Sequence, residues 1–164
     1  KALDGNDGYG AVEQQAGHGD AAPFLADQAR QAGDHILGKQ TAAWADNVAV
    51  PAVMFTDPQI ASVGLTERQA REQGLNVRVV EMGWAVAAAS LLGKDTKGGA
   101  KFIVDEDRHV LVGVTFAGPG AGELIHAATI AIVGEVTLDR LWHATPAFPT
   151  MSEIWLRFLE SYGL

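Results

Sequence analysis

Two runs of strongly β-forming residues, at 101–105 (KFIVD) and 110–116 (VLVGVTF), are separated by only four polar residues. Val, Ile and Phe favour strands, and a polar connection of this length is short enough for an antiparallel hairpin. This pair of runs constrains the fold more than any other part of the chain. We predict that the hairpin forms the centre of a β-sheet.

Shorter runs predict strands at residues 50–56, 60–65 and 75–80; in the last of these, apolar and polar residues alternate as in a half-buried strand. The early proline of the first run suits a strand start or a sheet edge, because proline has no N–H to donate to a neighbouring strand. After the second run, Thr66 and Gln69 have the spacing of a capping box. This pattern predicts a short helix that ends at Gly74.

Helical patterns follow the hairpin. Residues 121–133 are apolar and rich in alanine, and they lie between a glycine-proline-glycine turn and a further glycine. Their apolar side chains cover more than one face, so this helix must be buried on several sides, in a larger core or against another chain. A helical turn is expected at 138–143, and a capping-box pattern from Thr150 to Glu153 predicts the start of the last helix. We predict an α+β fold, an antiparallel β-sheet flanked by helices.

The first 49 residues differ from the rest, because glycines interrupt a stretch whose apolar residues are mostly alanine. One periodic segment at 23–37 predicts a short helix. We therefore divide the chain into an irregular arm at 1–49 and a folded domain at 50–164. The alanine-rich stretch 84–92 fits either a helix or a covering loop.

Charge and cysteine content exclude several classes of function. The 164 residues carry 12 basic and 20 acidic side chains, a formal net charge of −8, which gives no electrostatic footprint for nucleic acid. No apolar run approaches the ~18 residues of a membrane span. The absence of cysteine excludes a disulfide framework, a thiolate zinc site and thiol chemistry by this chain alone. We expect a cytoplasmic protein with neither a nucleic-acid nor a membrane partner.

The polar residues alone predict no complete active site. Glu123 and His126 share one face of a predicted helix, but a metal site needs three or four convergent ligands, so no metal is expected. The glycines at 8 and 10 and those at 118–122 do not form G-x-G-x-x-G between a strand and a helix. No G-x-S-x-G motif is present.

Four sequence blocks carry a family resemblance. They are VMFTDPQIASVGLT at 53–66, KFIVD at 101–105, a third block that contains VG at 112–113, GP at 118–119 and ELI at 123–125, and FPTMSE at 148–153. In this order they resemble the C-terminal dimerisation domain of the FAD- and NAD(P)-dependent pyridine nucleotide-disulfide oxidoreductases. Dihydrolipoamide dehydrogenase, glutathione reductase and mercuric reductase belong to this family. The resemblance extends over about two-thirds of the chain.

The resemblance implies an antiparallel sheet with helices that associates with its two-fold mate, in enzymes whose FAD and NAD(P) domains precede it. The implied partners are a second copy of the chain and those missing domains. FAD and NAD(P) are cofactors of the implied parent, and neither is expected on this chain alone, since no segment supplies a complete dinucleotide loop. We interpret the chain as a fragment of such an oxidoreductase. The alternative is a standalone dimer-forming module without a redox role.

In this family the last block usually reads His-Pro-Thr-x-Ser-Glu; its His projects toward the flavin and dithiol of the other subunit, and its Glu holds the imidazole. The resemblance therefore places Phe148 and Pro149 near the flavin of the partner subunit and makes Glu153 the catalytic candidate. Phe148 replaces the His, and a phenyl ring cannot exchange the proton that dithiol-disulfide interchange requires. His143, five residues upstream, is not a simple replacement. We therefore expect electron transfer from NAD(P)H through FAD to a quinone or another small acceptor.

The arm resembles the family more faintly. Gly19 and Asp20 are similar to the Gly-Asp pair that meets the ribityl and phosphate part of the flavin, and residues 28–38 are similar to the helix that follows it. These are the candidate cofactor-binding residues of the arm, which we interpret as a remnant of the FAD domain.

Overall fold

The computed structural model describes residues 22–39, 48–84 and 97–164 of the chain. Its strands form one five-stranded antiparallel sheet, with the order β1-β2-β5-β4-β3. They are β1 (Ala52–Met54), β2 (Ile60–Gly64), β3 (Val77–Gly83), β4 (Gly99–Asp105) and β5 (Val110–Ala117). The predicted hairpin is confirmed as β4 and β5, and it lies inside the sheet because β2 and β3 pair with its outer edges.

Five helices lie in the part of the chain that the structure describes. They are α1 (Ala22–Ile36), α2 (Glu67–Glu72), α3 (Ala121–Val133), α4 (Leu138–Trp142) and α5 (Glu153–Tyr162). The α+β fold predicted from the sequence is confirmed. The capping box at Thr66 and Gln69 is also confirmed, since each residue's side chain bonds the backbone N–H of the other.

Element boundaries differ from the predictions at the sheet edges. Strand β1 is an edge strand of three residues, shorter than the predicted 50–56, whereas β3 begins at Val77 and continues to Gly83. Pairing explains both differences: β1 has β2 as its one neighbouring strand in the sheet, and β3 extends along the seven residues of β4. The stretch predicted ambiguously at 84–92 lies, after Trp84, outside the described residues.

The core forms where α3 and α5 cover one face of the sheet. Phe102 of β4 is fully buried there and stacks on Phe158 of α5, with ring centroids 4.1 Å apart and planes 12° from parallel. Phe116 and Trp155 meet the same ring edge-on. Stacked and edge-to-face aromatic pairs stabilise beyond their buried area, so this cluster fixes α5 on the sheet.

The arm helix is confirmed by α1, but its apolar stripe is not buried. Ile36 and Leu37 are exposed, as are Ala29 and Ala32 on the preceding turns. Periodicity predicts a helix and its apolar side, but it does not say which surface covers that side. At these four residues the apolar side of the helix lies open to solvent.

Candidate functional site

The FPTMSE block forms a hydrogen-bonded turn that leads into α5. The hydroxyl of Thr150 donates to the carbonyl oxygen of Ala147 at 2.6 Å, and the backbone N–H of Glu153 donates to the carbonyl of Thr150 at 3.2 Å. The next two residues continue this three-residue spacing, with Ile154 bonded to Met151. Such i to i+3 bonds are the tighter turns that often precede a helix. They hold the turn together locally, and Met151 within it packs against the hydrophobic core.

Phe148 lies on the outside of this turn with 77% of its surface exposed. Pro149 is exposed beside it, and the peptide bond between the two residues is cis. An exposed phenyl ring next to proline presents a flat, uncharged surface. This surface suits the contact with a planar group of another subunit that the family resemblance assigns to these two residues.

Glu153 points inward and is only 6% exposed. One of its carboxylate oxygens accepts the backbone N–H of Thr150 at 3.1 Å. The predicted capping box is therefore half formed, because the backbone carbonyl of Thr150, not its hydroxyl, receives the N–H of Glu153. The prediction that α5 begins at Thr150 is wrong for the same reason: the tight turn delays the first helical residue to Glu153.

Glu153 has no imidazole partner in the part of the chain that the structure describes. No hydrogen bond or ion pair joins it to His35, His109, His126 or His143, and Phe148 replaces the histidine of the family motif. The carboxylate therefore serves as a backbone acceptor at the start of α5. Among residues 22–39, 48–84 and 97–164 it is paired with no second group of the kind that an acid-base dyad requires.

The other predicted residues are distributed as follows. Glu123 and His126 are both exposed on α3, and no group of three potential metal ligands occurs among residues 22–39, 48–84 and 97–164. Gly19 and Asp20 lie outside the described residues. None of the described helices is both long and apolar enough to cross a membrane.

An apolar groove lies beside this turn, between α3, α4 and α5. It has a volume of about 410 Å³, and none of its ten lining residues is charged. Its walls include Ile130 and Ala131 of α3, Leu141 of α4, and Trp155 and Leu159 of α5. Ile130 stands at the groove with 57% of its surface exposed. The sequence pointed to this surface only through the all-round apolarity of residues 121–133.

Helix α3 is held in place by a residue that the sequence analysis did not single out. The N–H of Gly122 donates to the side-chain oxygen of Gln59 at 3.3 Å, and the N–H of Gly118 donates to the Gln59 carbonyl at 2.8 Å. The helix starts at a left-handed Gly120, which offers no side-chain cap. Gln59 supplies the missing acceptor from the loop between β1 and β2. No local spacing rule predicts a cap from so far away in sequence.

The indole N–H of Trp155 is buried without a hydrogen-bond partner among the described residues. Buried polar groups are nearly always paired, because losing water without a replacement is costly. The indole ring contacts Phe102 and Phe116 of the sheet edge-on, and these contacts hold α5 against the sheet. Sequence patterns identify such a residue only as aromatic bulk.

The family model described as "Pyridine nucleotide-disulphide oxidoreductase, dimerisation domain" matches residues 50–157. The dihydrolipoyl dehydrogenase of Geobacillus stearothermophilus is 34% identical over 142 residues, which is 84% of this chain and 30% of that protein. The dihydrolipoyl dehydrogenase of Thermus scotoductus is 36% identical over 140 residues, which is 82% of this chain and 30% of that protein.

Solved structures give the same picture. The HOCl-induced flavoprotein disulfide reductase RclA from Escherichia coli superposes with a TM-score of 0.73 at 28% identity, over 82% of this chain and 31% of that one. LpdA from Mycobacterium tuberculosis shares the fold, with a TM-score of 0.72. The chain spans about a third of the length of the relatives it matches.

Proposed function

Because this chain belongs to the pyridine nucleotide-disulphide oxidoreductase family, where it matches the dimerisation domain, we propose that it is the self-associating part of a FAD-dependent NAD(P)H oxidoreductase. The partner is a second copy of the chain. The FAD and NAD(P) domains belong to the rest of the enzyme, and the arm at 1–49, including Gly19 and Asp20, continues from the FAD domain. The exposed apolar stripe of α1 supports this proposal, since it offers a surface for such a domain to cover.

Two observations carry the catalytic part of the proposal. The carboxylate of Glu153 accepts a backbone N–H and no imidazole, and Phe148, which replaces the family histidine, is exposed. Dithiol-disulfide interchange needs a group that takes and returns a proton near the flavin, and a phenyl ring has no such proton. In our proposal Phe148 and Pro149 cover the flavin of the partner subunit as an apolar surface. The enzyme then passes electrons from NAD(P)H through FAD to a quinone or another small acceptor.

Activity in the full-length parent tests this part. We expect NAD(P)H-dependent reduction of a naphthoquinone and no reduction of lipoamide or glutathione disulfide above background. Phe148→Leu is the matched variant, since it keeps an apolar side chain, and we expect it to change quinone turnover by no more than a few-fold. Disulfide reduction at a rate comparable to quinone reduction would contradict the proposal. Phe148→His should not by itself create that activity, because this chain supplies no cysteine.

Cofactor binding by the purified chain tests the assignment to a larger enzyme. We expect a colourless chain that does not oxidise NAD(P)H, because no segment supplies a complete dinucleotide loop. Stoichiometric flavin absorbance would contradict this expectation. The upstream reading frame separates the fragment from the standalone module: a G-x-G-x-x-G flavin domain supports the first, and a start codon near Lys1 supports the second. We place the enzyme in the cytoplasm, in keeping with a chain without cysteine.

A further inference from the structure

We propose that Thr150 is a positioning residue: its hydroxyl closes the turn that carries Phe148 and so fixes where the phenyl ring lies at the flavin of the partner subunit. This inference rests on the proposed function, which brings Phe148 to that flavin but does not say what holds the ring in place. The hydroxyl of Thr150 donates to the carbonyl oxygen of Ala147 at 2.6 Å. The two residues enclosed by this bond are Phe148 and Pro149.

The side chain of Thr150 closes this turn in place of its backbone. In the common four-residue turn, the N–H of the fourth residue donates to the carbonyl of the first. Here the N–H of Thr150 donates to the carboxylate of Glu153 at 3.1 Å, and the hydroxyl donates to the carbonyl of Ala147 instead. A residue without a hydroxyl at position 150 therefore leaves the turn without this closing bond.

Burial holds one side of Thr150 and not the other. On the C-terminal side, Met151 packs against the core and Glu153 is only 6% exposed. On the N-terminal side, residues 147–149 are all exposed. The hydroxyl of Thr150 thus ties the exposed segment that includes the phenyl ring to the buried start of α5.

The position of the ring depends on this bond more than global stability does. A hydrogen bond at an exposed site contributes little to the net stability of a fold, because water competes for both of its groups. A functional group, in contrast, must be held to within about 0.5 Å of its productive position. We therefore expect loss of the hydroxyl to alter the mobility of Phe148 and the rate of the enzyme, with circular dichroism and thermal unfolding close to those of the wild-type chain.

Nuclear magnetic resonance of the purified chain measures how firmly Phe148 is held. Thr150→Val keeps the branched shape and removes the hydroxyl, whereas Thr150→Ser keeps the hydroxyl. We expect the backbone amide order parameter of Phe148 to be about 0.85 in the wild-type chain and in Thr150→Ser, and to fall below about 0.6 in Thr150→Val. If Thr150→Val is unfolded, Thr150→Ala takes its place.

The matched control is Thr56→Val. The hydroxyl of Thr56 donates to the carbonyl oxygen of Pro58 at 2.7 Å in a different exposed loop. The control therefore makes the same substitution and removes the same kind of hydrogen bond. It should leave the order parameter of the Phe148 amide unchanged.

In the full-length parent, comparison with Phe148→Ala shows whether Thr150 acts through the ring. We expect Thr150→Val to lower quinone turnover about fivefold, as Phe148→Ala does, and the double variant to show no further loss, because two changes that act through one group do not add. Thr150→Ser should restore the rate. A general loss of structure would instead add to the effect of Phe148→Ala.

The two measurements separate this inference from the proposed function. A Phe148 amide as rigid in Thr150→Val as in the wild type, or losses from Thr150→Val and Phe148→Ala that add in full, would overturn the inference and leave the proposed function intact. A parent that reduces no quinone contradicts the proposed function. The visible absorption band of its flavin then replaces turnover: equal shifts in Thr150→Val and Phe148→Ala support the positioning role, and an unshifted band in Thr150→Val overturns it.

Discussion

Glu153 and Thr150 are joined by a hydrogen bond of 3.1 Å from the backbone N–H of Thr150 to a carboxylate oxygen of Glu153. The bond uses the side chain that the family resemblance assigns to an acid-base dyad. In this chain it ties the turn carrying Phe148 to the first residue of α5. The local fold thus gives Glu153 a structural role that needs an acceptor oxygen and no imidazole.

The first prediction concerns that oxygen. Glu153→Gln keeps an acceptor for the N–H of Thr150, so we expect the free energy of unfolding to fall by about 1 kcal/mol or less. Glu153→Ala removes the acceptor and should cost about 1–2 kcal/mol more, because it leaves the N–H without its partner. Urea unfolding measures both. Equal losses in the two variants would mean that charge, and not acceptor geometry, matters here.

In the full-length parent, Glu153→Gln should leave NAD(P)H-to-quinone turnover within a few-fold of the unmodified enzyme. Removing a general acid or base typically lowers the rate by about 10²–10⁴. A loss of that size would show that Glu153 transfers protons itself, or with a partner such as His143.

The second prediction concerns the aromatic cluster. Phe158 stacks on Phe102 at 4.1 Å, and both rings are fully buried. We expect Phe158→Ala to lower the free energy of unfolding by about 3–5 kcal/mol, because the lost apolar burial is joined by a cavity. Phe55→Ala is the matched control at a ring that is largely exposed, and its cost should stay below about 0.5 kcal/mol. Comparable costs would contradict the central position of this stack.

Local patterns predicted those parts of the fold that depend on neighbours in sequence. The β4–β5 hairpin, the Thr66 capping box and α3 each follow from residues within a few positions of one another, and all three are confirmed. The family assignment is also confirmed, because the model of the dimerisation domain matches residues 50–157. The predicted start of α5 was wrong, because it depends on whether the carbonyl or the hydroxyl of Thr150 accepts the N–H of Glu153. Turn geometry decides between these two acceptors.

Local sequence patterns did not predict the contacts between segments that are distant in sequence. Gln59 caps α3 across 63 residues, and the groove combines residues from three helices. Such arrangements depend on how elements pack, which periodicity does not encode. The roles of Phe148 and Pro149 at a flavin and of Gly19 and Asp20 in the arm stay predictions.

The third prediction concerns acid stability. Buried Lys101 lies 2.9 Å from a carboxylate oxygen of Glu67 and 3.4 Å from one of Glu81. The hydrogen bond from Lys101 is the main cause that lowers the pKa of Glu67 below its ordinary value of 4.5. The folded chain therefore holds this carboxylate ionised more readily than the unfolded chain does. Its contribution to stability is complete above pH 4.5 and is lost as the pH falls through the lowered pKa.

We therefore expect the free energy of unfolding to change less with pH below 4.5 in Lys101→Met than in the wild-type chain. The difference between the two slopes should correspond to at most one proton taken up on unfolding. Arg68→Met is the control, because Arg68 pairs with Glu72 at an exposed position, whereas the ion pairs of Glu67 are with Arg71 and Lys101. Urea titrations between pH 3 and 6 give the slopes. Identical slopes for Lys101→Met and the wild type would exclude Lys101 as the cause.

The fourth prediction concerns the close approach of Trp84 to Gly118. A Cβ built on Gly118 would lie 2.7 Å from two ring carbons of Trp84, and the backbone φ of +149° disfavours side chains. Gly118→Ala should cost about 1–3 kcal/mol, since the indole must move. At Gly33 of α1 a Cβ meets nothing within 4 Å. Gly33→Ala should therefore be neutral or stabilise by up to about 1 kcal/mol, as alanine favours helices. Thermal unfolding compares the two variants.

Sedimentation velocity of the purified chain tests whether it is a self-associating domain. At tens of micromolar, where a contact of standard size is already populated, we expect one species with twice the 17.3 kDa mass of the chain. A single species of 17.3 kDa at that concentration would contradict it.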